Sequence, residues 1–247
     1  MSSDRPGRRL CLVDGSGVVF RAYHALPSLA TRTGIPTGAI YGFATMLAKL
    51  LRTNETTHVA VVLDAPGKTF RDEAFAEYKA TRAEMPDDLA RQLPYIRQLV
   101  EAYGIPLLVI PGVEADDVIG TLAARAVAEG FEVLVVTSDK DMMQLVGPQV
   151  RLLDTMYDRT TGVAEVRERF GVDPAHVVDV MALMGDAIDN IPGIKGIGEK
   201  TAARLISHFG SLDALYERIG EVEATGLRGA QRVRALLEAR EEMARKS

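Results

Sequence analysis

Residues Val133–Asp141 read VLVVTSDKD, an unbroken apolar run that gives way within two residues to a pair of aspartates. A run so short and so uniformly apolar fits a strand buried on both faces, because a strand with one wet face alternates apolar with polar residues. Leu10–Val13 (LCLV), Val59–Leu63 (VAVVL), Leu107–Ile110 (LLVI) and Val150–Leu153 (VRLL) repeat the pattern. Amphipathic stretches at Gly38–Leu51, Asp87–Tyr103 and Ala115–Glu129 lie between the first four runs. Strands alternating with helices of this length predict an α/β fold, a central and mostly parallel sheet flanked by helices.

From about Asp173 onward the pattern changes. PAHVVDVMALMG, EKTAARLISHFG and SLDALYERIG are helical patterns punctuated by glycine, with no strand-like run among them. The expectation is an α/β core over residues 1–173 and an all-helical region over 174–247, ending in a basic helical stretch, Leu227–Lys246. With 247 residues and 47% hydrophobic content the chain can bury a core of that size. Its single cysteine, Cys11, excludes an intrachain disulfide and favours a reducing compartment. MSSDRPGRR has no apolar signal region, and AIYGFATMLAKLL is too short and interrupted to span a membrane, so a cytoplasmic address is expected.

The acids follow the strands. Asp14 directly follows LCLV and Asp64 directly follows VAVVL; Glu114, Asp116 and Asp117 come just after LLVI, and Asp139 and Asp141 just after VLVV. In a parallel sheet the C-terminal ends of the strands share one edge, where ligands bind. Each acid alone reads equally well as a helix N-cap or as a first-turn residue favoured by the helix dipole. Taken together, the seven carboxylates repel one another unless cations lie between them. Oxygen donors without His or Cys nearby point to Mg²⁺ or Mn²⁺ rather than zinc. In MGDAIDNIPG, Asp186 and Asp189 would share a face of a helix, or form an Asx turn before Pro192. In the helical GVEADDVIG stretch, Val118, Ile119 and Leu122 are expected to anchor the carboxylates at the edge.

The net charge of −5 argues against a nucleic-acid partner only if the bases are scattered, and they are not. In KTFRDEAFAEYKATRAEMPDD, Arg71, Tyr78 and Arg82 would share a helical face with Lys79 beside it, although the interspersed acids also suit a solvated surface. IPGIKGIGEKTAARLI carries Lys195, Lys200 and Arg204 around Gly196 and Gly198. Glycines there allow close backbone approach, and free N–H groups at a helix start face an anion, as in a clamp on a DNA phosphate backbone. A dinucleotide fingerprint is excluded, because no strand precedes the glycines and the GxGxxG spacing is not met.

Six motifs, LVDGSGVVFRAYHALP, TGIPTGAIYGF, GKTFRDEAFAEYKATR, GVEADDVIGTLA, TSDKDMMQLV and ALMGDAIDNIPGIKGIGEKTA, resemble in order the signatures of the 5′ nuclease family. The likeness is greatest to the 5′–3′ exonuclease domain that opens bacterial polymerases of the first type, and it runs from Leu10 to about Glu242. It implies a 5′ nuclease (PIN-like) core with a helical arch at about residues 68–95, and a helix–three-turn–helix element at about 180–209. Asp14, Asp64, Glu114 and Asp116 are then implied ligands of one ion, and Asp139, Asp141 and Asp189 of a second, with Asp117 and Asp186 further out. Lys79 and Arg82 match the basic pair expected at the scissile phosphate. Phe20, Arg21, Arg71, Tyr78, Lys195, Gly196, Gly198, Lys200 and Thr201 fall at implied DNA contacts.

The resemblance further implies a monomeric flap endonuclease and 5′–3′ exonuclease acting by two metal ions, with K⁺ at the helix–three-turn–helix element. Its substrates would be 5′ flaps, 5′ ends, nicked or gapped duplexes and RNA–DNA primers, in bacterial replication and repair near the nucleoid. A polymerase domain would share the full-length chain. Ala187 and Ile188 depart from the small polar residues usual between the two aspartates of that motif. Two rival readings are a non-catalytic DNA-binding module on the same fold and a related RNase; the first lacks metal-directed acids, the second the arch and the GIGEKTA hairpin.

Overall fold

In the computed structural model, residues 7–53 and 56–241 are described. The chain runs β1 (Arg9–Asp14), α1 (Gly15–Ala25), α2 (Gly38–Thr53), β2 (His58–Val62), α3 (Phe70–Ala74), α4 (Asp87–Ala90), α5 (Leu93–Ala102), β3 (Leu107–Leu108), α6 (Ala115–Ala128) and β4 (Glu132–Val136). It continues through β5 (Val150–Asp154), β6 (Arg159–Thr161), α7 (Val163–Phe170), α8 (Val177–Met184), α9 (Glu199–Phe209), α10 (Leu212–Glu217) and α11 (Ala230–Glu238). Arg245 and Lys246, at the end of the expected basic helix, lie outside the described residues.

The strand order is β3-β2-β1-β4-β5-β6, and the pairs β3/β2, β2/β1, β1/β4 and β4/β5 are parallel. From β1 the chain builds outward through β2 and β3, then returns to lay β4 on the other side of β1. This reversal opens a crevice beyond the carboxyl ends of β1 and β4. Cys11, Leu12 and Val13 of β1 are fully buried between helical layers, the burial that a continuous apolar run requires. On α2, Ala39, Phe43, Leu47 and Leu50 recur at helical spacing and fill one side of the core. On α6, Ala115, Ile119, Ala123 and Ala126 are buried, and Val118 and Leu122 are half-buried.

The contacts divide the chain into two compact units: residues 1–70 with 83–160, and 71–82 with 161–247. The second unit is helical, with Val177, Val180 and Leu183 of α8 and Ala202, Leu205 and Ile206 of α9 buried in it. Among the described residues no helix is long and apolar enough to cross a membrane.

Several local expectations are corrected. The stretch Asp87–Tyr103 is two helices rather than one, because Pro94 lacks the N–H that would bond the carbonyl of Ala90. The run at Leu107–Ile110 contributes only Leu107–Leu108 to the sheet. Arg71, Tyr78 and Arg82 do not share a helical face: α3 ends at Ala74, and Lys79 has φ +53°, a left-handed conformation that interrupts any helix. Asp186 and Asp189 are likewise not on a helix, since α8 ends at Met184 before Gly185 with φ +73°.

Candidate active site

Each carboxylate at the sheet edge is held by a local device. Asp14 ends β1 and caps α1: the Gly17 N–H donates to Asp14 Oδ1 at 2.9 Å. Both glycines of the Asp-Gly-Ser-Gly turn are needed for packing. A Cβ on Gly15 would lie 2.8 Å from the Val62 carbonyl oxygen, and one on Gly17 would overlap the Asp14 carboxylate itself. Ser16, between them, accepts the Asp64 N–H on its hydroxyl at 2.8 Å, locking the second residue after β2 to the second residue after β1. The Ala115 N–H, at the start of α6, donates to Asp64 Oδ1 at 2.8 Å, so the positive end of that helix faces this carboxylate.

Glu114 is the N-cap of α6, and its N–H donates to Asp117 Oδ2 at 2.9 Å, one half of a capping box. Asp117 thus has a structural task in the helix start. Beyond β4, the Asp141 N–H donates to Asp139 Oδ1 at 2.9 Å, and Lys140 Nζ lies 3.9 Å from Asp141 Oδ1.

The electrostatics show convergence. Burial first, then the charges of Asp14, Asp139, Asp64 and Glu114, raise the Asp116 carboxyl to about 7. Asp14 is also raised, chiefly by burial and further by Asp64 and Asp139, against the lowering hydrogen bonds from Gly17 and Thr137. Acids from the ends of β1, β2, β3 and β4 therefore act on one another in one place. Among the described residues no three His, Cys, Asp or Glu side chains enclose a common point at ligand distance. Like charges at such an edge keep apart. The donor set is nonetheless all carboxylate oxygen, the chemistry that suits a hard divalent cation, and ionising Asp116 is what an opposite charge there would favour.

In the second unit, the Asp186–Asp189 segment forms the Asx turn. Asp186 and Ile191 exchange backbone hydrogen bonds at 2.9 and 2.7 Å, and Asp186 Oδ1 accepts the Ile188 N–H at 2.7 Å and the Asp189 N–H at 3.3 Å. Ile188, one of the two departures from the family motif, is 68% exposed. Asp189 gathers the basic segment. Tyr78 Oη donates to Asp189 Oδ2 at 3.2 Å, Lys79 Nζ lies 3.6 Å from the same oxygen, and Arg82 lies 3.6 Å from Oδ1. The Lys79 N–H also donates to the Asp189 carbonyl, and Asn190 Nδ2 to the Glu77 carbonyl. Tyr78 is buried, with Lys79 Nζ 4.8 Å from its ring centroid.

The hairpin ahead of α9 is pinned by buried Ile194 and Ile197. The Ile194 N–H donates to the Leu183 carbonyl, which sets the turn against α8. Lys195, Gly196, Gly198 and Lys200 are exposed, Thr201 is half-buried, and Gly196 has φ +99°. In the first unit Phe20 is 44% exposed on α1, whereas Arg21 donates to Asp154 Oδ1 at 2.8 Å. Asp154 also accepts the Met156 and Tyr157 N–H groups, so Arg21 ties α1 to the turn after β5. Two contributors escaped the sequence reading: Ser16, and Thr137, whose hydroxyl donates to Asp14 Oδ2 at 2.8 Å. The signal for both was their place within two residues of a strand end and of an acid.

Carboxylates gathered at the switch point of a parallel sheet are the kind of donor set that metal-assisted hydrolases of phosphate esters use. The chain belongs to the 5′–3′ exonuclease family. Residues 9–171 match the model of its N-terminal, resolvase-like domain, and residues 172–247 match that of its C-terminal SAM fold. It is accordingly a nuclease of the 5′–3′ exonuclease family. It is 43% identical over 206 residues to the 5′–3′ exonuclease of Aquifex aeolicus, covering 83% of this chain and 71% of that one. It is 50% identical over 236 residues to DNA polymerase I of Pseudomonas aeruginosa, covering 95% of this chain and 26% of the relative. The chain thus spans about a quarter of the length of the polymerase relatives it matches. A solved structure of T5 5′-exonuclease with bound divalent zinc ions superposes with a TM-score of 0.78 at 26% identity, covering 97% of this chain and 87% of that one.

Proposed function

We propose that the chain hydrolyses DNA phosphodiesters where a 5′ single strand meets duplex, as a 5′–3′ exonuclease and 5′ flap endonuclease using two Mg²⁺ or Mn²⁺ ions. The observation that carries this reading is the set of acids that follow β1, β2, β3 and β4 at the carboxyl edge of one parallel sheet, with Asp64 bonded to the start of α6 and Asp14 joined through Thr137 to the Asp139 backbone. Asp14, Asp64, Glu114 and Asp116 are the proposed donors to one ion, and Asp139 and Asp141 to the other, with Asp189 assigned there by the family resemblance. Bound there, divalent ions would lower the pKa of water and stabilise the leaving 3′ oxygen.

The chain's own residues orient the reaction. Ser16 and the α6 N-terminus hold Asp64, and Gly17 holds one oxygen of Asp14, so the carboxylates meet a cation with little reorganisation. Asp117 and Asp186 are the proposed outer carboxylates, as the family resemblance implies; the first closes the α6 capping box and the second the Asx turn. Lys79 and Arg82 are the proposed partners of the scissile phosphate. Lys195, Lys200 and the exposed backbone around Gly196 and Gly198 are the proposed grip on duplex phosphates, with Thr201 and a K⁺ ion on backbone carbonyls beside them. Phe20 offers an exposed ring for base stacking. Arg71 is a further proposed contact. Monomeric action on flaps and RNA–DNA primers in bacterial replication and repair, with a polymerase domain in the full-length chain, completes the proposal.

A 5′-flap substrate, made as DNA and as RNA and incubated with Mg²⁺ or with EDTA, tests it. Cleavage of the DNA flap with Mg²⁺ alone is expected, leaving 5′-phosphate products. Asp139→Ala and Asp141→Ala should abolish cleavage while DNA binding persists. Full activity in either variant would refute the assignment.

A further inference from the structure

The register of the sheet sets Val13 opposite Val136, so the next residues, Asp14 and Thr137, emerge side by side at the switch point. Both are buried, at 6% and 4% exposure. The Thr137 N–H donates to the Leu153 carbonyl at 3.2 Å, which fixes the backbone to β5 as well. Its hydroxyl is used twice: it donates to Asp14 Oδ2 at 2.8 Å and accepts the Asp139 N–H at 3.1 Å. With Asp14 ionised this polarity is forced, because a carboxylate only accepts and a backbone N–H only donates. Being β-branched, Thr137 has a stiff χ1, so the hydroxyl cannot swing to other partners without cost.

A chain of bonds follows. Gly17 holds Oδ1 of Asp14, Thr137 holds Oδ2, the Asp139 N–H is held by Thr137, and the Asp141 N–H is held by Asp139 Oδ1. We propose that Thr137 is a positioning residue: its single hydroxyl sets the Asp14 carboxylate and the Asp139 turn in register, and so couples the two metal subsites. The inference rests on the functional reading above, in which Asp14 and Asp139 serve different ions. Removing the hydroxyl frees both partners at once, so both subsites should weaken together. A residue that merely filled space would be replaced by valine without effect, since the two side chains share a shape.

The test is Mn²⁺ binding, by calorimetry or electron paramagnetic resonance, to Thr137→Val, Thr137→Ala and Thr137→Ser, with unfolding midpoints measured alongside. The valine and alanine variants should bind Mn²⁺ on the order of 10–100-fold more weakly, as loss of a bond to a ligating group typically does, with flap-DNA affinity in EDTA unchanged. Serine, which keeps the hydroxyl, should restore binding to within about threefold on the same scale. Wild-type Mn²⁺ affinity in a folded valine or alanine variant overturns the proposal. So does a serine variant as weak as valine, or failure of both hydroxyl-free variants to fold, which assigns the hydroxyl to stability alone. An active Asp139→Ala enzyme sinks the functional reading itself; an inactive one beside a normal Thr137→Val sinks only the role of Thr137.

Discussion

Gly17 and Asp14 are built for one another: the Gly17 N–H donates to Asp14 Oδ1 at 2.9 Å, and a Cβ on Gly17 would occupy the place of the same carboxylate. The carboxylate can lie against the first turn of α1 only because residue 17 has no side chain. Glycine inside a helix ordinarily costs about 1 kcal/mol relative to alanine, so its presence here marks a steric demand.

Gly17→Ala should therefore lose activity out of proportion to stability. Displacing Asp14 is expected to lower Mn²⁺-supported cleavage on the order of 10–100-fold, the usual penalty for a disturbed ligand. The unfolding midpoint should move little, since the better helix former offsets part of the steric cost. A variant with normal cleavage would show that the carboxylate does not need its observed orientation.

Gly15→Ala should behave in the opposite way. Its Cβ would meet the Val62 carbonyl oxygen and the side chains of Val61 and Leu63, all at 2.8 Å. Such overpacking between β2 and the start of α1 typically destabilises by about 1–3 kcal/mol. Chemical denaturation should detect that loss, and equal stability would mean that β2 gives way more easily than its pairing with β1 suggests.

Stability without metal should fall as the pH rises. The Asp116 carboxyl is raised to about 7, mainly by burial and then by its acidic neighbours, so its protonated form favours the fold. That contribution is complete below the ordinary carboxylate range, near pH 4, and is lost as the pH climbs towards about 7. Denaturation in EDTA across this window should show the decline, and Asp116→Asn, which cannot ionise, should flatten it. An equally steep decline in Asp116→Asn would remove Asp116 as its source. Because a cation needs the ionised form, Mn²⁺ binding below about pH 7 should also release protons.

Arg21 should matter for stability before it matters for DNA. Burial works to raise the Asp154 carboxyl, but the Arg21 guanidinium and the Met156 and Tyr157 N–H groups hold it below the ordinary range. Arg21→Ala leaves that carboxylate with less support, at a cost of about 1–3 kcal/mol, and the loss should show in thermal unfolding. A normal midpoint with weakened flap binding would return Arg21 to the DNA surface.

Much of this arrangement was legible from local pattern. Continuous apolar runs such as VLVV could only be strands buried on both faces, and parallel strands bring their carboxyl ends to one edge. That reasoning places Asp14, Asp64, Glu114, Asp116, Asp117, Asp139 and Asp141 at one edge, and in the fold the charges of Asp14, Asp139, Asp64 and Glu114 act on Asp116. The split of α4 from α5 was also readable, since Pro94 announces it. The capping role of Asp117 was readable in the same way, from its place three residues after the N-cap.

Other features depended on neighbours that lie far apart along the chain. The apolar runs are too alike to reveal that β4 lies beside β1, yet that pairing alone sets Thr137 against Asp14 across 123 residues. Tyr78 and Lys79 read either as part of one basic helical face or as members of a charged, solvated stretch, and only the fold of the second unit buries the ring and turns both toward Asp189. Strand direction and apolar periodicity are local properties, so residue order alone sets which groups stand at the sheet edge. Which of those groups touch, and how their carboxylates point, follows only from the folded chain, because register and side-chain contact belong to pairs of distant segments.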